Sequence, residues 1–143
     1  MLCAAFILLI YNTLLGRMVT VTILIVEDEA PIRSFITEIL EDEGYRVTSV
    51  RNGREALAYL RQQAELPRLI FLDLGMPVMT GWAFRAEQQR DPKLAHIPVI
   101  ILSAIISFSR TVSTLNAAGY LDKPVDIHTL LSTVRGIIGS AVA

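Results

Sequence analysis

Three acids, a hydroxyl and one of only two lysines stand at or just past the ends of short apolar runs. Glu27 and Asp28 follow VTILIV, Asp73 follows LIFL, Ser103 follows IPVIIL, and Lys123 comes just after GYL. A carboxylate at the end of a buried run, such as Asp73 among leucines, costs several kcal/mol of solvation unless something pairs with it. Taken singly, each has a plain explanation: an acid or serine after a strand is most often a helix cap, and a lysine is most often a solvated charge. Taken together they form a charge set. The acids carry −3 and Lys123 returns +1. Like charges about 4 Å apart repel by about 4 kcal/mol at an effective dielectric near 20. A hard divalent cation brings the sum to zero, and oxygen-only ligands suit Mg²⁺. Beside such an ion a carboxylate can attack phosphorus, while a hydroxyl and an ammonium hold the new phosphoryl oxygens.

The elements that must position this set alternate along the chain. VTILIV (Val21–Val26) reads as a short strand buried on both faces. Pro31 then opens a helix whose apolar stripe is Ile32, Phe35, Ile36, Ile39 and Leu40, ended by Gly44. YRVTSV (Tyr45–Val50) is a second strand, closed by Arg51 and Asn52, and Asn52 with Glu55 reads as a capping pair for REALAYLRQQ. LIFL (Leu69–Leu72) is the third strand, Thr80 caps a helix through WAFRAEQQ, and IPVIIL (Ile97–Leu102) is the fourth. A weaker helix is predicted over 104–117, then GYL as a fifth strand. Asp126 caps a last helix with Ile127, Leu130, Leu131, Val134, Ile137 and Ile138 on one stripe. Five strands alternating with five helices predict an α/β fold, a doubly wound parallel sheet covered on both faces. Ligands in such sheets sit beyond the carboxyl ends of the strands, where the strand order switches.

The 143 residues fit one domain, and a net charge of −1 with mixed signs argues against a nucleic-acid surface. A single cysteine, Cys3, excludes an internal disulfide framework, and no ligand cluster for structural zinc occurs. Residues 1–17 stand apart from a domain over 18–143. MLCAAFILLIYNTLL is almost wholly apolar but shorter than the roughly 20 residues that span a bilayer, and no basic residue precedes it. Three readings stay open: a start assigned upstream of Met18, a membrane tether with Arg17 on the cytoplasmic side, and an extra element packed within or between subunits.

ILIVEDE, LIFLDLGMPVMTG, VIILSA and GYLDKPVD, in this order from about Thr22 onward, resemble the four signature segments of bacterial two-component response-regulator receiver domains. The resemblance implies the flavodoxin-like five-stranded fold. It also implies that Asp73 accepts a phosphoryl group, with Asp28 a direct Mg²⁺ ligand and Glu27 a ligand through water. The backbone carbonyl of Gly75 completes the metal site, Ser103 is the switch hydroxyl, Lys123 pairs with phosphate and Pro124 is its cis neighbour. Tyr120 is the aromatic whose rotamer reports phosphorylation. The implied partners are a sensor histidine kinase or histidine phosphotransfer protein and a downstream protein target, in the cytoplasm. No enzymatic activity is expected beyond Mg²⁺-dependent self-phosphorylation and slow autodephosphorylation.

The sequence departs from that pattern in places. Ser103 and Lys123 are 20 positions apart (123 − 103 = 20), fewer than usual, which suggests a clipped fourth helix. IISFSRTVSTLNAAG holds Arg110 as its one charge; Ile105, Phe108, Val112 and Leu115 can form a buried stripe that leaves Ile106 over. That face is expected to dock a protein or a second copy of the chain. Gly75 offers no side chain to steer a hydrolytic water, and Ile105, two residues after Ser103, is apolar, so a long-lived phosphoryl group is expected. The rival readings are a receiver-like binding module that is never phosphorylated, and an aspartate-nucleophile phosphatase. The latter family carries a second acid where Gly75 stands, and a P-loop enzyme lacks its GxxxxGK[ST] here. His96 and His128 read as surface residues.

Overall fold

The computed structural model describes residues 3–7, 10, 21–104 and 114–139. Their elements are β1 (Thr22–Val26), α1 (Ala30–Asp42), β2 (Arg46–Val50), α2 (Gly53–Gln62), β3 (Leu69–Asp73), α3 (Gly81–Arg90), β4 (Val99–Ser103), β5 (Gly119–Asp122) and α4 (Ile127–Ile138). The predicted helix over 104–117 lies mostly outside the described residues. Its described C-terminal part, 114–117, is turn and irregular chain. The reading of 1–17 as a separate segment likewise lies largely outside them. Among the described residues, no helix is long and apolar enough to cross a membrane.

The five strands form one parallel sheet in the order β2-β1-β3-β4-β5. Alternation along the strands splits the core into two layers. Leu24, Val26, Ile70, Leu72, Val99 and Ile101 face α2 and α3 through Ala56, Leu57, Leu60 and Phe84. Ile23, Ile25, Leu69, Phe71, Ile100 and Leu102 face α1 and α4 through Ile36, Leu40, Leu130 and Val134. Every residue of β3 is buried, as expected of a central strand, and each large aliphatic removed from water contributes about 2 kcal/mol.

Local signals end and start the helices as the residues dictate. Gly44, at φ 95°, closes α1 with its N–H on the Glu41 carbonyl, and Tyr45 N–H reaches Leu40 O. That is the Schellman arrangement, which a left-handed glycine makes cheap. Asn52 Oδ1 accepts from Glu55 N–H, Thr80 Oγ1 from Ala83 N–H and Asp126 Oδ2 from Thr129 N–H. The Asn52–Glu55 pair is only half of a capping box, because the Glu55 carboxylate turns to Arg51 Nε at 2.9 Å. Two stripe members differ from expectation: Phe35 and Ile127 are 41% and 44% exposed. Phe35 lies at the lateral edge of its helix stripe, and Ile127 is the first residue of α4, at the end of its stripe.

Candidate functional site

The switch in strand order falls between β1 and β3, and the carboxyl ends of these strands carry Glu27, Asp28 and Asp73. One oxygen from each of the three lies within 4.8 Å of the others. Glu27 is fully buried, Asp73 nearly so, and Asp28 half-buried toward the opening. The structure thus brings the three predicted acids to one point.

Lys123, just past β5, reaches across β4 to join them. Its Nζ lies 2.9 Å from Glu27 Oε2 and 3.3 Å from Asp73 Oδ1, with its side chain 10% exposed. Glu29 Oε1 stands at 3.8 Å on the solvent side. The predicted cis peptide is present between Lys123 and Pro124. Lys123 N–H donates to the Ser103 carbonyl at 2.9 Å, so the amine and the hydroxyl share one backbone anchor. Ser103 ends β4, one residue beyond Leu102, which is the cross-strand partner of Asp73. Gly75 is exposed, and its N–H points to Asp73 Oδ1 at 3.4 Å. Tyr120 stands apart from the acids, 37% exposed on β5 opposite Ile101. His96 and His128 are exposed.

The electrostatics follow from this burial. Burial pushes the Glu27 carboxyl above its ordinary value of 4.5, against the hydrogen bond from Lys123, and the Asp73 charge adds to the rise. Burial likewise raises Asp73 above 3.8, and the contact with Asp28 raises it further. For Lys123, burial works to lower the amine, but the hydrogen bond to Glu27 and the charge of Asp73 outweigh it and hold the amine above 10.5. One positive charge is therefore shared by more acids than it can neutralise. The Lys123 ammonium straddles the Glu27 carboxylate, 2.9 Å from Oε2 and 3.0 Å from Oε1. Three carboxylates that offer oxygens within 4.8 Å of one another, with one ammonium beside them, make an all-oxygen donor set that fits a hard divalent cation.

Two positioning contacts escaped the sequence reading. Arg33 Nη1, on α1, donates to the carbonyls of Glu27 at 2.8 Å and Asp28 at 3.3 Å, holding the backbone of the acidic pair. A basic residue in the first turn opposes the helix dipole, and that misfit was the available signal. Gly81, the first residue of α3, lies against the end of β3; a Cβ there would collide with the Asp73 carbonyl oxygen and come within 2.8 Å of Leu74 Cα. Between them the chain makes a three-residue turn, Met79 N–H to Pro77 O at 2.7 Å, with Val78 at φ 68°. This is the strained, positive-φ form of the γ-turn.

The response regulator receiver domain family model matches residues 23–135. Protein PilH of Pseudomonas aeruginosa is 33% identical over 118 residues, which cover 81% of this chain and 96% of PilH. The solved chemotaxis response regulator CheY4 of Vibrio cholerae superposes with a TM-score of 0.76 at 30% identity, over 83% of this chain and 99% of that one. The Mn²⁺-bound form of response regulator Rcp1 gives a TM-score of 0.67 at 30% identity, over 81% and 90%. Histidine kinase P4 of Formosa agariphila is 34% identical over 119 residues, or 82% of this chain, but the chain spans 8% of its length. With the family model covering most of its length and the strand-end acids gathered at the switch point, this chain belongs to the response regulator receiver domain family.

Proposed function

We propose that this protein is a phospho-accepting receiver in a two-component or phosphorelay system. Asp73 takes a phosphoryl group from a histidine kinase or histidine phosphotransfer protein. The observation that carries the reading is the meeting of Glu27, Asp28 and Asp73 at one point, with the Lys123 ammonium on Glu27 and Asp73. Asp73 attacks phosphorus through a carboxylate oxygen; a P–O bond forms, the P–N bond to the donor imidazole breaks, and the imidazole leaves with that electron pair. Asp28, Asp73 and the Gly75 carbonyl, with Glu27 beside them, would hold a divalent cation, and that ion would supply charge neutralisation for the incoming oxygens.

The remaining work belongs to the chain's own groups. Lys123 turns from Glu27 toward the new dianion, and Ser103 donates to another of its oxygens. Their common anchor, Lys123 N–H on Ser103 O, couples the two movements. Tyr120 follows on β5, and the face near β5 and α4 changes for a downstream protein target. The change is a population shift, so the phosphoryl group need favour the active state by only a few kcal/mol. A groove of about 500 Å³ borders Lys123, lined by Pro31, Ile32, Phe35, Pro124 and Val125, which suits a donor protein docked over Asp73. Mg²⁺-dependent self-phosphorylation and slow loss of the group are its only covalent chemistry.

The test is intact mass after incubation with Mg²⁺ and acetyl phosphate or phosphoramidate, beside Asp73→Asn. A gain of one phosphoryl group by the parent protein alone supports the reading; no gain, or an equal gain in the variant, overturns it.

A further inference from the structure

α3 carries a second buried polar group, away from the acids. Arg85 is 5% exposed, yet no carboxylate forms an ion pair with it among the described residues. Its Nε donates to the Leu115 carbonyl at 2.9 Å, Nη2 to the Asn116 carbonyl at 2.9 Å, and Nη1 to Gln88 Oε1 at 2.7 Å. Gln88, fully buried, donates through Nε2 to the carbonyls of Leu94 and Ile97, both at 3.0 Å. One arginine–glutamine pair on α3 thus grips the connection entering β4 and the connection entering β5.

A buried guanidinium gives up much of its hydration, and its three hydrogen bonds offset that loss; an apolar side chain there would leave the Leu115 and Asn116 carbonyls and Gln88 Oε1 without this donor. What the guanidinium adds is direction: a planar fork that fixes two consecutive carbonyls at once. The fixed point is where the backbone turns through the left-handed region at Asn116, φ 49°. Two residues later Ala118 N–H takes the Val99 carbonyl at 2.8 Å and β5 begins, with Tyr120 close enough to act on the Arg85 charge. At the other end of the same helix, Gly81 lies against Asp73.

We propose that Arg85 is a positioning residue: through its clamp on Leu115 and Asn116, α3 holds β5 and Tyr120 in register with Asp73, so that a change at the acidic site reaches the β5 edge. The coupling rests on the phospho-acceptor reading; the clamp itself does not.

The test compares the parent protein with Arg85→Met and Arg85→Lys by residue-resolved amide hydrogen exchange, and by amide chemical shifts with Mg²⁺ and beryllofluoride as the phosphoryl mimic. In the Met variant, exchange at Ala118–Leu121 is expected to quicken about tenfold or more while β1 and β2 keep their protection. Lys keeps the charge but not the fork, and is expected to do the same; it decides the matter if the Met variant fails to fold. With beryllofluoride, the shift change at Gly75 stays as in the parent while that at residues 119–121 falls by at least half. Unchanged exchange overturns the clamp, and a full response at 119–121 in the variants overturns the coupling. A parent protein whose Gly75 does not respond overturns the acceptor reading and the coupling together, while the exchange result still decides the clamp.

Discussion

Gly81 and Asp73 touch main chain to main chain: the first residue of α3 leaves no room for a side chain against the Asp73 carbonyl. The contact is locked by Gly81 N–H on the Leu74 carbonyl at 3.1 Å, so α3 is fastened to the end of the strand that carries the acid. Gly81→Ala must push helix and strand apart, and is expected to cost about 2–4 kcal/mol. Gly75→Ala, two residues after Asp73, meets nothing within 4 Å among the described residues and is expected to stay within about 1 kcal/mol of the parent. Urea unfolding of the two variants side by side checks the contrast; equal losses would refute it.

That contact also shows where sequence reading stops. Most strands were legible because short apolar, β-branched runs alternate with helical stripes and turn residues, and three of the caps because Asn52, Thr80 and Asp126 stand at the right offset from their helices. The acids and Lys123 were legible because each ends a run, and the fold rule carries strand ends to one edge. Gly81 and Arg85 were not, because nothing local distinguishes a glycine pressed on a neighbouring strand or an arginine turned inward. Phe35 and Ile127 carried the right period for burial, but periodicity does not say how wide the covering sheet is.

Lys123 is the counter-charge for two buried acids, and its loss has a defined pH signature. Burial raises the Glu27 and Asp73 carboxyls above 4.5 and 3.8. The folded state therefore holds their protons more tightly than the unfolded chain. Their contribution is fully present below those ordinary values and is lost as pH rises through the folded ones. For Lys123, raised above 10.5, the contribution persists below that value and disappears as pH climbs through the folded one. Without added metal, Lys123→Met is expected to cost about 2–4 kcal/mol at neutral pH and progressively less in acid, as pH falls through the raised carboxyl values and the acids take up protons. Mg²⁺ at neutral pH is expected to stabilise the variant more than the parent. Denaturant curves at neutral and acidic pH, with and without Mg²⁺, decide it; a cost that does not shrink in acid contradicts the account.

Val78 holds a backbone conformation that a β-branched side chain adopts at a cost of about 1–2 kcal/mol, and its side chain, 69% exposed, gains nothing from packing in return. Val78→Asn is expected to stabilise the protein by about 1 kcal/mol while leaving the Met79 N–H to Pro77 O turn in place. A higher urea midpoint with an unchanged slope is the expected result, and a lower midpoint would show that the valine serves the loop in some other way.

Phosphoryl lifetime depends on whether a side chain near Asp73 can steer water. Gly75 is exposed, and among the described residues nothing stands within 4 Å of where its side chain would begin. The phosphorylated protein is therefore expected to persist for minutes or longer after the donor is removed. Gly75→Asn, which places an amide near Asp73, is expected to shorten that lifetime by about tenfold, less than the roughly 100-fold or more of a full general acid or base. Phosphate release followed over time checks both; a parent half-life of seconds contradicts the first.

Far from the acids, Tyr45 ties the start of β2 to the end of α4: its hydroxyl donates to the Gly139 carbonyl at 2.9 Å, with Arg135 and Glu43 paired beside it at 2.8 Å. Burial raises its phenol above 10.0; the nearby Arg135 charge works against the rise and Glu43 with it. The folded state keeps this proton more tightly, so its contribution is complete below 10.0 and is lost as pH rises through the folded value. Tyr45→Phe removes one hydrogen bond and is expected to cost about 1 kcal/mol at neutral pH. Because the phenylalanine cannot ionise, the gap between the proteins should narrow as the solution becomes strongly alkaline. Lys123 titrates in both proteins and cancels in the difference. Unfolding curves of the pair at neutral pH and at several alkaline values measure the narrowing; a gap that widens with pH would mean that the phenol ionises more easily in the fold than out of it.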